Sequence, residues 1–171
     1  GIQLYKKRHP NVTELPEVAL LAIEVKTGNI KVMIGGKDFT RTPYNRTVQA
    51  KRQPGSAFKP IIYLTALEKG YRPDMMLRDA PISFTNPYTK EIWQPRNYKN
   101  EYHGDVSMRK ALELSLNTAS IRLLEIVGVS NVIEMAKRLN IDSNFAPNLS
   151  LALGTTEIAP LDLASVSYTH L

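Results

Sequence analysis

Between Pro54-Gly55 and Lys69-Gly70 the residues Phe58, Ile61, Ile62, Leu64, Thr65 and Leu67 recur at helical spacing. A helix this apolar has to be covered, so the chain must fold as layers packed around it. Both ends are punctuated: a Pro-Gly turn precedes Ser56, and a cation followed by a C′ glycine closes the far end. Pro60 falls in the first turn, where a missing N–H costs little, so it marks the start of the helix rather than a break.

Upstream, the β-branched runs Val18-Ala-Leu-Leu-Ala-Ile-Glu-Val25 and Ile30-Lys-Val-Met-Ile34 flank Lys26-Thr27-Gly28-Asn29, where Gly28 can take the positive φ of a turn. This predicts a β-hairpin. Residues 37–53 are polar and read as loop, and residues 71–104, rich in Pro, Asn and aromatics, read as a long ordered loop with one short strand near Ile82. Helices are expected from Met108 behind the N-cap Ser107, from Ala119 to Val127 ending at Gly128, and from Val132 to Leu139. Residues 141–157 are irregular, and Pro160 opens a last helix. The order gives an α+β fold, with helices gathered against a sheet that lacks some of its strands.

The length of 171 residues fits one domain or part of one, with 1–17 as a linker from an upstream region and 18–171 as the N-terminal portion of a domain. Gly1 is not an initiator, so the chain is expected to be a piece of something longer. Twenty-two Lys+Arg against 16 Asp+Glu leave a net charge of +6, but no zinc spacing, heptad or RNP-like pattern accompanies it. The excess reads as a solvated face, and nucleic acid is not expected as a partner. With no Cys, a disulfide framework, a thiolate metal site and a cysteine nucleophile are excluded. No run approaches the roughly 18 apolar residues of a membrane span.

The chemistry sits at the head of the apolar helix, in Ser56-Ala57-Phe58-Lys59. At i and i+3 both side chains leave one face, which brings the Lys59 amine within reach of the Ser56 hydroxyl. The spacing alone is common, and Ser107-Met-Arg-Lys110 repeats it where an N-cap explains the serine. For Lys59 to act as a base near neutral pH its pKa must fall from about 10.4 toward 7, roughly 4 kcal/mol. The positive end of a helix supplies less than about 2 kcal/mol of this. A nearly dry pocket with a second basic group is therefore expected around Lys59. Ser115-Leu116-Asn117 lies at a break between helices, where it is either local hydrogen bonding or a hydroxyl and an amide that serve the same site.

Arg52-Gln-Pro-Gly-Ser-Ala-Phe-Lys-Pro60 resembles the nucleophile segment of penicillin-binding proteins, and Ser115-Leu-Asn117 resembles their second motif. Ala22-Ile-Glu-Val-Lys-Thr-Gly28, Met33-Ile-Gly-Gly36, Trp93-Gln-Pro-Arg-Asn-Tyr98, Tyr102-His-Gly104, Ala111-Leu-Glu-Leu114 and Leu151-Ala-Leu-Gly-Thr155 look like the bifunctional class A branch. The likeness runs from about Leu15 to Ser165. It implies a penicillin-binding, β-lactamase-like transpeptidase fold and an acyl-serine D,D-transpeptidase that cross-links peptidoglycan stem peptides. By that resemblance Ser56 is the nucleophile, Lys59 the base and Ser115 the proton relay, while Asn117, Trp93 and Asn97 bind substrate. Trp93 and Tyr98 could also serve the packing of the long loop. β-Lactams would acylate the same serine, no metal or organic cofactor is needed, and a membrane-anchored parent with an upstream glycosyltransferase domain would face outward.

The resemblance also sets limits. Lys26-Thr27-Gly28 copies the third family motif but precedes Ser56 and lies in a turn, so it is not that motif. The true one is expected beyond Leu171, and this segment alone is expected to be inactive. Ser167-Tyr-Thr-His-Leu171 departs from the family pattern, and no catalytic function is assigned to His9, His103 or His170. A β-lactam-binding sensor of the same fold and a serine β-lactamase are the other readings. The Trp-Gln-Pro-Arg-Asn-Tyr segment and the want of a Glu-bearing deacylation loop speak against the last.

Overall fold

The computed structural model describes residues 2–85 and 87–169; His170 lies outside them. In chain order the elements are α1 (Ile2–Arg8), β1 (Leu20–Ile23), β2 (Ile30–Ile34), a 3₁₀ turn (Gly55–Phe58), α2 (Lys59–Glu68), β3 (Met76–Asp79), β4 (Phe84–Thr85) and β5 (Ile92–Trp93). After them come β6 (Gly104–Ser107), α3 (Met108–Glu113), α4 (Asn117–Val127), α5 (Val129–Arg138), a second 3₁₀ segment (Leu149–Leu153) and α6 (Pro160–Thr169). The mixed helix and sheet agree with the α+β expectation. The chain divides into two units, one of Gly1–Lys51 with Ala159–Leu171 and one of Arg52–Ile158.

In the first unit β1 and β2 pair antiparallel, with Leu20 opposite Ile34 and Gly28 at φ +72° in the connection. The expected hairpin is present, and Lys26-Thr27-Gly28 lies in its turn. Leu20, Ile30, Met33 and Ile34 remain exposed, while α6 packs on β1. His9 is exposed as expected, although its ring lies 4.5 Å from that of Tyr5.

The second unit holds the larger core. Helix α2 packs on α4 and α5, burying Phe58, Ile61, Ile62 and Ala66 with Ile121, Leu124, Val132 and Ala136. Leu64 and Leu67, read from spacing as part of the apolar face, instead point outward. The buried face takes in positions 58, 59, 61, 62, 63, 65 and 66, and 64 and 67 fall on the side of the helix opposite it. Residues 71–104 hold more strand than the single one expected. β3 pairs with β6, Met76 opposite Ser107, and β4 pairs with β5. These strands are only two to four residues long, too short for a period-2 pattern to stand out in the sequence, and β3, which ends at Asp79, finds its partner β6 only from Gly104 on. Arg52 and Ile158 exchange two backbone hydrogen bonds, which ties the ends of this unit together.

Three helices end in one way. After α2, α3 and α5 the chain turns through a residue with positive φ, Gly70, Ser115 and Asn140 respectively. At each end the C′ N–H reaches the C2 carbonyl and the C″ N–H reaches the C3 carbonyl. Gly and Asn are the usual occupants of that position; serine is not. A similar constraint acts before Ser56. Gly154 (φ +64°) lies so close to Gly55 that a Cβ on it would sit 2.1 Å from the Gly55 carbonyl oxygen. Gly55 also has positive φ (+56°), but a Cβ there meets nothing within 4 Å. Gly55→Ala should therefore cost only the backbone term of about 1–2 kcal/mol, and Gly154→Ala at least about 2 kcal/mol more because backbone must move. Thermal unfolding of the two variants side by side checks this, and equal losses would show that the close approach is soft.

Candidate active site

The Ser56 segment is a 3₁₀ turn rather than the first turn of an α-helix. Pro54 precedes it in the right-handed region, the Ala57 N–H donates to the Pro54 carbonyl at 3.2 Å, and the Lys59 N–H donates to the Ser56 carbonyl. In this geometry i and i+3 eclipse, so Ser56 and Lys59 share one face. Their environments differ: Ser56 is exposed and Lys59 is wholly buried. Phe58, fully buried beside Phe145, anchors the turn to the core.

The Lys59 amine crosses to the junction between α3 and α4. Its Nζ donates to the Ser115 carbonyl at 2.6 Å, to Ser115 Oγ at 3.0 Å and to Asn117 Oδ1 at 2.7 Å. These three acceptors match the three donors of an ammonium. Among the described residues no hydrogen bond joins it to Ser56. Burial pushes the Lys59 amine down to about 8. The dry pocket expected from the sequence is therefore there, and burial is the only cause of the shift, with no second cation contributing.

Serine at position 115 carries a positive φ of 54° in a turn that elsewhere in this chain uses Gly or Asn. The side chain accounts for the exception: its hydroxyl is one of the lysine's acceptors. Asn117 is fixed from three sides. Its Nδ2 donates to the Arg96 carbonyl at 2.8 Å, its backbone N–H donates to Asn97 Oδ1 at 2.8 Å, and its Oδ1 faces the lysine. Local hydrogen bonding and service to the lysine are thus both properties of this segment.

The other expected site residues lie farther out or deeper in. Asn97 is buried and looks inward: Nδ2 donates to Asp79 Oδ1 and to the Glu101 carbonyl, and Oδ1 accepts from the N–H groups of Asn117 and Thr118. Trp93 is half-buried and stacks on Phe84 across the β4–β5 pair, with centroids 5.4 Å apart. Tyr98 is 98% exposed, so the long loop does not pack on it. Ser107 caps α3 through Lys110 N–H, which accounts for the second Ser-x-x-Lys spacing. One turn beyond Lys59, the Tyr63 hydroxyl meets Ser120 Oγ at 3.0 Å, and Ser120 donates to the Leu116 carbonyl. Ser120 has one hydroxyl proton, so Tyr63 is the donor. Burial pushes the Tyr63 phenol up to about 12, which keeps it neutral. Nothing in their local sequence sets Asp79 and Thr118 apart, whereas Gly154 stands in the Leu151-Ala-Leu-Gly-Thr155 segment that carries the resemblance.

Comparison with known proteins gives this geometry its family. Residues 18–156 match the penicillin binding protein transpeptidase domain. The chain belongs to that family. Penicillin-binding protein 1A of Aquifex aeolicus is 44% identical over 149 residues, which cover 87% of this chain and 20% of that protein. Penicillin-binding protein 1A of Pseudomonas aeruginosa is 40% identical over 147 residues, 85% of this chain and 18% of that protein. The chain thus spans about a fifth of these penicillin-binding relatives. The crystal structure of penicillin-binding protein 1A from Haemophilus influenzae superposes with a TM-score of 0.83 at 32% identity, over 90% of this chain and 23% of that one. PonA1 from Mycobacterium tuberculosis in complex with penicillin V has a TM-score of 0.77 at 23% identity, over 96% of this chain and 46% of that one, a likeness of fold alone.

Two outcomes follow for the full-length penicillin-binding protein. A lysine lowered to about 8 is mostly ammonium below that pH and mostly free amine above it. With Ser56 as the candidate nucleophile and Lys59 as its candidate base, labelling by a fluorescent penicillin is expected to quicken as pH rises and level off above about 8; a profile rising only near 10.5 would show an unburied amine. Ser115→Gly relieves the positive φ and removes the hydroxyl. Stability should stay within about 1 kcal/mol of wild type while the acylation rate falls about 10²-fold, measured by thermal unfolding and by labelling kinetics.

Proposed function

We propose that this chain carries the nucleophile half of a D,D-transpeptidase centre that cross-links peptidoglycan stem peptides and is acylated by β-lactams. The observation that carries the reading is a fully buried Lys59 amine held by Ser115 and Asn117, with the exposed Ser56 one 3₁₀ turn before it.

The chemistry follows from proton counts. As an ammonium Lys59 gives its three protons to three acceptors; as a neutral amine it has two N–H donors and one lone pair. Losing a proton releases one acceptor and frees the lone pair to take the Ser56 proton. Ser56 Oγ then forms a bond to the carbonyl carbon of the penultimate D-alanine. Ser115 Oγ, already bonded to the amine, can reverse and pass that proton to the nitrogen of the departing D-alanine. The acyl-serine that remains is attacked by an amine of a neighbouring stem peptide, which forms the cross-link and restores the hydroxyl. Asn117 is assigned to the substrate amide, Trp93 to the wall of the cleft, and Asn97 to the support of Asn117. In a β-lactam the bond that breaks is the ring amide, so the leaving nitrogen stays attached and the adduct persists.

The parent is proposed to hold an upstream glycosyltransferase domain and an anchor in the cytoplasmic membrane, with this part on the outer side. The Lys-Thr-Gly motif and its cation are proposed to come from sequence after Leu171, so residues 1–171 alone are expected to label poorly.

The test is labelling of the full-length protein with a fluorescent penicillin, together with D-alanine release from a pentapeptide donor. Stable adduct and D-alanine release in wild type, both abolished in Ser56→Ala, are expected. Adduct persisting in Ser56→Ala removes the nucleophile. Adduct without D-alanine release points to a sensor, and adduct that hydrolyses quickly to a β-lactamase.

A further inference from the structure

One buried carboxylate has no part in the mechanism above. Asp79, the last residue of β3, is wholly buried. Its Oδ1 accepts from Asn97 Nδ2 at 2.8 Å and from the Thr118 hydroxyl. Its Oδ2 accepts from the His103 backbone N–H at 2.9 Å and lies 3.0 Å from His103 Nδ1. Burial alone would raise the carboxyl; the bonds from Thr118, Asn97 and His103 outweigh it and hold the group below the ordinary carboxylate range. It is therefore an anion at neutral pH, with four donors turned toward it.

Those donors lead to the reactive lysine. Asn97, held by Asp79, turns its own oxygen onto the first N–H groups of α4, at Asn117 and Thr118. Thr118 is bound to Asp79 directly. Asn117, between them in the network, presents Oδ1 to Lys59 Nζ. The carboxylate thus fixes both the position and the rotation of the turn that offers the lysine its acceptors. An anion near a helix N-terminus is also favourable in itself. The path passes through short polar side chains with few rotamers, so a displacement at one end has little slack to absorb it.

We propose that Asp79 is a positioning residue for acylation: through Asn97 and Thr118 it sets the start of α4, and so the acceptors that aim the Lys59 amine. This rests on Ser56 acylation as the activity, and the experiment separates the two. In the full-length protein, fluorescent-penicillin labelling gives an end point, which counts competent molecules, and a rate constant, which reads how well those molecules react. A purely structural residue lowers the first and leaves the second. Asp79→Asn keeps the shape and replaces an accepting oxygen by a donor, and its rate constant should fall by about tenfold or more. Thr118→Val should also fall several-fold, while Thr118→Ser, which keeps the hydroxyl, should stay within about twofold of wild type. A wild-type rate constant in Asp79→Asn overturns the proposal, whatever its end point. If Asp79→Asn does not fold, an unchanged rate constant in Thr118→Val overturns it. Failure of wild type to label at Ser56 would instead remove the activity itself.

Discussion

A lysine amine buried to the last atom is the constraint around which the second unit is arranged. An ammonium without partners in a dry interior is costly by far more than a domain's net stability. Three acceptors within 3.0 Å of Nζ make it tolerable. All three come from one short junction, so α3 and α4 must meet α2 at one place and in one rotation. Desolvation disfavours the charge and pushes the amine down to about 8, while the three acceptors are what allow the group to be buried at all.

Such an arrangement needs local geometry that ordinary packing would not select. At the end of α3 the Ser115 backbone adopts the positive-φ conformation that Gly70 and Asn140 take at the ends of α2 and α5. Gly154 presses on Gly55 so closely that no side chain fits between them. In both cases an unusual backbone lies next to a residue of the site, as expected where positions are held against their own preference. The polar groups around the lysine are satisfied: among the described residues no buried side-chain nitrogen or oxygen lacks a partner. A half-satisfied network of this size would be worse than an apolar core.

How much of this the sequence displays depends on the range of the interaction. The hairpin, the ends of α2, the cap at Ser107 and the C′ role of Gly70 rest on neighbours in the chain, and each could be read from spacing and turn chemistry. Ser56 and Lys59 were legible for the same reason. The lysine's partnership with Ser115 and Asn117, 56 and 58 residues away, was not legible from periodicity; the break between helices offered it as one of two readings, and the family resemblance gave the residues their roles. Asp79 was missed altogether. It ends a four-residue strand in a stretch read as loop, and its partners lie 18, 24 and 39 positions on. Leu64 and Leu67 show the opposite error: both are apolar, but they lie on the side of α2 turned away from its buried face.

The 3₁₀ turn resolves a conflict that the chemistry imposes. In the mechanism proposed above, the nucleophile must be open to substrate and its base must be shut away from water, yet the two must meet. On an α-helix, residues three apart are separated by about 4.5 Å along the axis and by about 60° around it, which would turn one side chain away from the other's line. On a 3₁₀ turn they lie about 6 Å apart along the axis and eclipse, so the two side chains leave on one line, and the long lysine reaches on to its acceptors at the α3–α4 junction while the short serine stays exposed. The turn then gives way to α2 at Lys59 itself, where Pro60 needs no partner for its nitrogen. One change of helix type thus sets the hydroxyl at the surface and the amine in the core, with the Ser56 carbonyl and the Lys59 N–H joined between them.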